Sequence, residues 1–182
     1  KNIKELKNIH APYVRKLTNA LVLDGKVQQA IYFVNNLKFI NKNFFESNIL
    51  LGINNLLDKE YDLAVNYFTK IVKNKKYNNF EKLIIYNILT YQEVFENKKI
   101  NLSKKIPKNV NNINEALLNC YLDNDSVDSS FKKLINSKEV DYTRYIYFYV
   151  NYLINKKRYK EALNVVESST DEINSNLLLD QT

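Results

Sequence analysis

The sequence predicts an all-α protein built from tandem antiparallel helical hairpins. Apolar residues recur along most of the chain at the spacing of one helix face, as in Tyr13, Leu17 and Leu21. The 182 residues include only two glycines and two prolines, whereas β-sandwiches and doubly wound α/β folds need many such turn residues. Short polar turns, such as residues 24–26, separate the apolar segments and make consecutive helices pack antiparallel.

One register aligns five copies of a helical hairpin. Its reference positions, spaced by 34, 34, 32 and 32 residues, are Leu17, Leu51, Ile85, Leu117 and Tyr149. Thirteen positions later, four of the five copies carry a small residue, and seventeen positions later all five carry an apolar one. Two antiparallel helices approach closely only where one of them presents a small side chain, so this pattern predicts the crossing point of each hairpin.

The second copy carries the pattern most fully. Its residues are Leu51, Gly52, Tyr61, Ala64 and Phe68. This set, repeated at about 34 residues, resembles the tetratricopeptide repeat. The resemblance covers about residues 11–169 and implies a right-handed α-solenoid with a concave binding face. No copy has the family's first-turn Trp or its terminal Pro, and an α-solenoid of another family with hairpins of similar length stays open.

The third copy departs from the register in its second half. Lys98 and Lys99 stand where small and apolar residues are expected, and Pro107 follows. Proline inside a helix removes a backbone hydrogen bond. We therefore expect the second helix of this copy to be short or irregular, and the array to bend within residues 97–112.

Both ends of the chain suggest further helices. Residues 1–10 are predicted to be the end of a preceding helix or a flexible lead-in, and residues 170–182 the start of a further, truncated helix. Disordered ends are the alternative. No run of about 18 apolar residues predicts a transmembrane helix. The expected protein is soluble, cytoplasmic or (if a leader was removed) periplasmic.

Few residues in the chain suit catalysis or metal binding. One histidine, His10, and one cysteine, Cys120, leave no zinc site or disulfide within one chain. Residues 123–128 begin like a calcium loop, but Asp128 stands where that loop needs glycine and Leu134 where it needs glutamate. Phosphate-loop and nucleophile motifs are absent. The sequence predicts a non-enzymatic protein without a cofactor or bound metal.

Asparagine occupies four of the five positions that lie two residues after the reference residues. In order, these positions hold Asn19, Ile53, Asn87, Asn119 and Asn151. The family resemblance implies that this position faces the concave groove, where carboxamides could bind an extended peptide backbone. Chance is the alternative explanation, because asparagine is abundant in this chain.

The first two copies add further candidates for a partner-binding groove. Arg15, one turn before Asn19, resembles the first pair of the carboxylate clamp of some tetratricopeptide domains, but the remaining clamp positions are apolar here. Ile49 and Ile53 form an apolar patch that suits an amphipathic helix, another protein surface or self-association. We therefore expect a protein-interaction scaffold that binds a protein or peptide partner.

The chain's charge keeps a second function open. The net charge of +7 and the 14 tyrosines, together with the asparagine positions, would suit a single-stranded RNA-binding helical-repeat protein. The 24 lysines against three arginines weaken this alternative, since arginine is preferred where phosphates are bound in a bidentate way.

Overall fold

The chain folds into α-helices throughout the part that the computed structural model describes, which is residues 11–38, 43–137 and 144–169. These residues form nine helices and no strand, which confirms the all-α prediction. The helices are α1 Ala11–Leu23, α2 Val27–Asn35, α3 Phe45–Leu57, α4 Tyr61–Lys73, α5 Asn79–Asn97, α6 Lys108–Leu122, α7 Val127–Ile135, α8 Arg144–Asn155 and α9 Tyr159–Ser168. The predicted end segments, residues 1–10 and 170–182, lie outside the described residues.

Four pairs of consecutive helices form hairpins: α1 with α2, α3 with α4, α6 with α7, and α8 with α9. Helix α5 is followed by residues 98–107, which are not helical, and α6 begins at Lys108. Asn78 and Glu81 form a reciprocal capping box that begins α5: the Glu81 amide donates to Asn78 Oδ1 (2.9 Å) and the Asn78 amide to Glu81 Oε2 (2.7 Å).

The first helix of each hairpin ends in the same backbone turn. A residue in the left-handed region follows the helix, and these residues are Gly25 (φ 73°), Lys59 (φ 62°), Asp123 (φ 55°) and Lys157 (φ 59°). The next residue donates its amide five positions back, as from Lys26 to the Leu21 carbonyl (2.8 Å) and from Arg158 to the Leu153 carbonyl (2.9 Å). This Schellman arrangement satisfies the last carbonyls of the helix and turns the chain back.

The chain divides into two compact units, residues 1–92 and 93–182. In unit 1, α3 packs against both α1 and α2. One apolar cluster joins the first hairpin to α3 through Val14, Val34 and Leu51. A second cluster joins α4 to α5 through Phe68 and Ile85.

Unit 2 has one larger core around α6–α9. Its fully buried side chains include Phe131 of α7 and Tyr149 of α8, whose rings stack with centroids 5.0 Å apart. Helix α8 packs against α7 as well as against its hairpin partner α9. The small residues of the aligned register are buried in both units: Ala30, Ala64, Ser130 and Ala162.

Candidate functional site

A groove in unit 1 lies between α1 and α3, with a volume of about 410 Å³. We call it the α1–α3 groove, and it is lined by Thr18, Asn19, Val22, Leu23, Phe45, Glu46, Ile49, Leu50 and Ile53. It follows from helix periodicity, because Phe45, Ile49 and Ile53 recur every four residues on one face of α3. The groove therefore lies between two helix faces that present mainly apolar side chains.

The groove keeps large apolar side chains in contact with solvent. Leu23 is 88 % exposed, and Val22 and Ile53 are about 40 % exposed. Leu57, one helical turn after Ile53, is also exposed. Single exposed apolar side chains are ordinary, but a contiguous patch in a concave surface is typical of an interaction site.

One ion pair lies beside the apolar lining. Arg15 Nε is 3.2 Å from Glu46 Oε2, which is buried and makes no hydrogen bond among the described residues. The Thr18 hydroxyl donates to the Val14 carbonyl of its own helix (2.9 Å). Asn19 and Glu46 are thus the remaining polar side chains of the lining, and the Glu46 carboxylate is already paired with Arg15.

The predicted groove residues divide into two groups. Arg15, Asn19, Ile49 and Ile53 come together at the α1–α3 groove, with Arg15 joined through its ion pair with Glu46.

The other three predicted residues are asparagines on α5, α6 and α8. Asn87 and Asn151 each donate to the carbonyl four residues earlier in their own helix (2.8 Å in both). Asn119 is buried in unit 2, where its Nδ2 donates to Ser130 Oγ (2.6 Å) and its Oδ1 accepts from Asn124 Nδ2 (2.8 Å). The side chain of Asn119 therefore joins α6 to α7.

Sequence reasoning missed Val22, Leu23 and Phe45 as groove residues. The signal was available, because Phe45 lies one turn before Ile49, and Val22 and Leu23 lie one turn after Asn19. Extending each predicted position by one helical turn would have found all three.

A second cavity, of about 430 Å³, lies in unit 2 and is mainly charged. It is lined by Asp123, Asn124, Asp125, Val127, Asp128, Tyr152, Lys156 and Arg158. Arg158 binds Asp128 through two hydrogen bonds (3.1 and 2.8 Å), and Asp123 accepts from Lys156 and from the Tyr152 hydroxyl (3.0 Å). Asp123 and Asp128 are thus paired with cations at a partly exposed surface, which favours a structural role.

The ion pairs of this cavity shift the pKa values of their members. Hydrogen bonds from Arg158 lower the pKa of Asp128, and hydrogen bonds from Lys156 and Tyr152 lower that of Asp123. Burial and the bond to Asp123 raise the pKa of Tyr152 to about 12. None of these groups is shifted toward neutral pH, where a general acid or base works best.

Cys120 is a free, half-buried thiol on α6. Burial and the nearby Asp123 carboxylate raise the pKa of the thiol, which lowers its thiolate fraction and its reactivity as a nucleophile. The described part of the chain holds no group of three or more His, Cys, Asp or Glu side chains that could bind a metal ion.

None of the described helices has the length and apolar content needed to cross a bilayer. Comparison with protein-family models, curated proteins and solved structures finds no match to this chain.

Proposed function

We propose that this protein is a non-catalytic interaction scaffold, and that its α1–α3 groove binds the apolar face of an amphipathic helix from a protein partner. The observation that carries the proposal is the exposure of Val22, Leu23 and Ile53 around a concave surface. Burying a fully exposed side chain of this size contributes about 1.5–3 kcal/mol. Leu23, which is 88 % exposed, would gain most of this on binding, and Val22 and Ile53 would gain a smaller part each.

The groove lining favours a helix over an extended peptide as the ligand. An extended peptide would bring unpaired backbone N–H and C=O groups against the apolar side chains of α1 and α3. Each such buried group costs about 1–3 kcal/mol without a partner, and among the described lining residues Asn19 and Glu46 are the main polar groups available. A helix satisfies its backbone groups internally.

The dimensions of the groove support the same ligand. Helices α1 and α3 have 13 residues each, which corresponds to about 20 Å of helix. The four-residue spacing along α3 forms a ridge that can pack into the groove of a partner helix. The proposed ligand is therefore a helix of three or four turns.

A tetratricopeptide-like arrangement of the hairpins is part of this proposal. Support comes from Gly52, where α3 and α4 approach so closely that an added Cβ would lie 2.8 Å from Phe68 Cζ. The burial of the small residues of the register, including Ala30 and Ala64, supports it further. The same close crossing is what the repeat pattern of the sequence predicts.

The proposal can be tested with a displayed library of 16-residue peptides. We expect selection to enrich peptides with apolar residues at i, i+3, i+4 and i+7. The double variant Leu23→Gln with Ile53→Gln should weaken their binding by at least about tenfold, because two apolar contacts are lost. Isothermal titration with a selected peptide measures the loss.

The matched control is Leu63→Gln with Val65→Gln, which changes two exposed apolar residues of α4 outside the groove. This variant should bind the selected peptides as the wild type does. Equal losses in both variants, or enrichment of peptides without helical apolar spacing, would contradict the groove assignment. A pull-down from nuclease-treated lysate then identifies the natural partner by its capture on wild type and its loss on the groove variant.

A further inference from the structure

A strongly basic segment occupies the position where the third repeat would place its second helix. This segment, residues 98–108, contains five lysines and no aspartate or glutamate. All five lysine side chains are exposed, and residues 98–107 are not helical. The segment belongs to unit 2 and concentrates a large part of the chain's net charge of +7.

Three acidic residues of unit 2 pair with cations outside the basic segment. Glu115 pairs with Lys133 (3.2 Å), Asp123 with Lys156, and Asp128 with Arg158 (2.8 Å). In the part of the chain that the structure describes, Lys99, Lys104 and Lys108 form no ion pair. Glu93 accepts a hydrogen bond from Asn101 of the segment (3.2 Å), and the three lysines named above keep their positive charge exposed to solvent.

An exposed aromatic ring lies beside the first lysine of the segment. Lys98 Nζ is 3.2 Å from the Tyr121 hydroxyl and 5.1 Å from the centre of its ring. Phe95 meets the same ring edge-on, with centroids 5.1 Å apart. Tyr121 nevertheless remains about half exposed, so a flat apolar surface lies next to the lysines.

We infer that residues 98–108 and Tyr121 bind single-stranded nucleic acid through its phosphates. Lysines on a phosphate backbone release condensed counterions, which makes binding strong at low salt. An acidic protein segment would bind the lysines much more weakly, because each exposed lysine–carboxylate pair raises the affinity by at most about fivefold. An exposed tyrosine ring can stack on a base, which gives Tyr121 a role that an acidic peptide would not use.

This interaction surface differs from the asparagine positions of the RNA-binding alternative. Asn119 is buried and hydrogen-bonded to Ser130, so its amide cannot read a base in this fold. The surface also differs from the α1–α3 groove. The Leu23→Gln, Ile53→Gln variant should therefore bind nucleic acid as the wild type does, and the two proposals can fail separately.

The test measures binding of a fluorescein-labelled 20-nucleotide oligouridine to the full chain by anisotropy between 50 and 200 mM KCl. Each phosphate contact contributes about −0.7 to the slope of log affinity against log salt. In the variant K99Q/K104Q/K108Q, the magnitude of this slope should be smaller by about 2. At 50 mM KCl its affinity for the oligouridine should be lower by at least about tenfold.

The control variant K73Q/K75Q/K76Q removes the same charge from exposed lysines of unit 1. We expect its slope to match that of the wild type. Tyr121→Ala should weaken binding by about fivefold or more, and Tyr121→Phe should retain it.

Three results would overturn the inference: no binding at 50 mM KCl, equal losses in the two triple variants, or equally tight binding of a 20-residue polyglutamate.

Discussion

Gly52 lies in the interior of α3, a position where glycine ordinarily weakens a helix. In an open helix, replacing glycine by alanine stabilises by about 1 kcal/mol. Here a Cβ at residue 52 would lie 2.8 Å from Cζ and 2.9 Å from Cδ1 of Phe68, whose ring is fully buried. Helix propensity therefore favours alanine at position 52, whereas the packing of Phe68 favours glycine.

We expect Gly52→Ala to lower the free energy of unfolding by about 1–3 kcal/mol, because the buried ring cannot move away without disturbing its neighbours. Urea unfolding followed by circular dichroism measures the change. In the double variant with Phe68→Leu, the added methyl should cost less than it does alone, which a double-mutant cycle detects. A stabilised Gly52→Ala protein would show that the two helices can separate at no cost.

At the scale of elements, Asp128 connects α7 to α8 and to the turn between α8 and α9. It accepts hydrogen bonds from Arg158, in the turn before α9, and from the Tyr149 hydroxyl of α8 (2.9 Å). These bonds favour the ionised carboxylate and lower its pKa, while burial and the bond to Asp128 raise the pKa of Tyr149. One carboxylate of α7 thus binds a residue of α8 and the residue that precedes α9.

The lowered pKa of Asp128 predicts a loss of stability in acid. A carboxylate whose pKa is lower in the folded chain stabilises the fold above its unfolded value of about 3.9, and this contribution disappears as the pH falls through the folded pKa. Asp128→Asn should therefore be less stable than the wild type at pH 6, and the difference should narrow toward pH 3. Urea titrations at both pH values measure it, with the exposed Asp125→Asn as the control. A difference that stays constant with pH would contradict the role of Asp128.

The sequence predicted helices better than it predicted side-chain directions. Periodicity located the hairpins, since an apolar stripe fixes which helix face is buried. The same periodicity identified Asn19 and Ile53, which both line the α1–α3 groove. It could not assign Asn119, because an asparagine that faces a groove and one that bonds to Ser130 across a hairpin have the same spacing. The two cases differ in whether a hydrogen-bonding side chain lies opposite. For Asn119 this side chain is Ser130, and the turn between α6 and α7 determines its position.

At the scale of the whole molecule, the net positive charge destabilises the folded chain through repulsion. The net charge is +7, and the ion pairs that the structure describes are all at least partly exposed. Such pairs contribute little each. Lysines are concentrated at residues 98–108. We therefore expect the repulsion among lysines to destabilise the fold more than the ion pairs stabilise it.

Raising the KCl concentration from 20 to 300 mM should accordingly raise the Tm, by about 2–4 °C if roughly 1 kcal/mol of repulsion is screened. The K99Q/K104Q/K108Q variant should show a smaller rise and a higher Tm at low salt. Scanning calorimetry measures both effects. A Tm that falls with added KCl would mean that attractive ion pairs dominate instead.

The left-handed residue that ends the first helix of a hairpin is glycine once, aspartate once and lysine twice. Its role depends on a torsion angle and on backbone hydrogen bonds, and a non-glycine residue there costs only about 1–2 kcal/mol. Over evolutionary time such a turn can keep its shape while its residues change. Hairpins of common descent would then keep superposable backbones after their sequences had ceased to align.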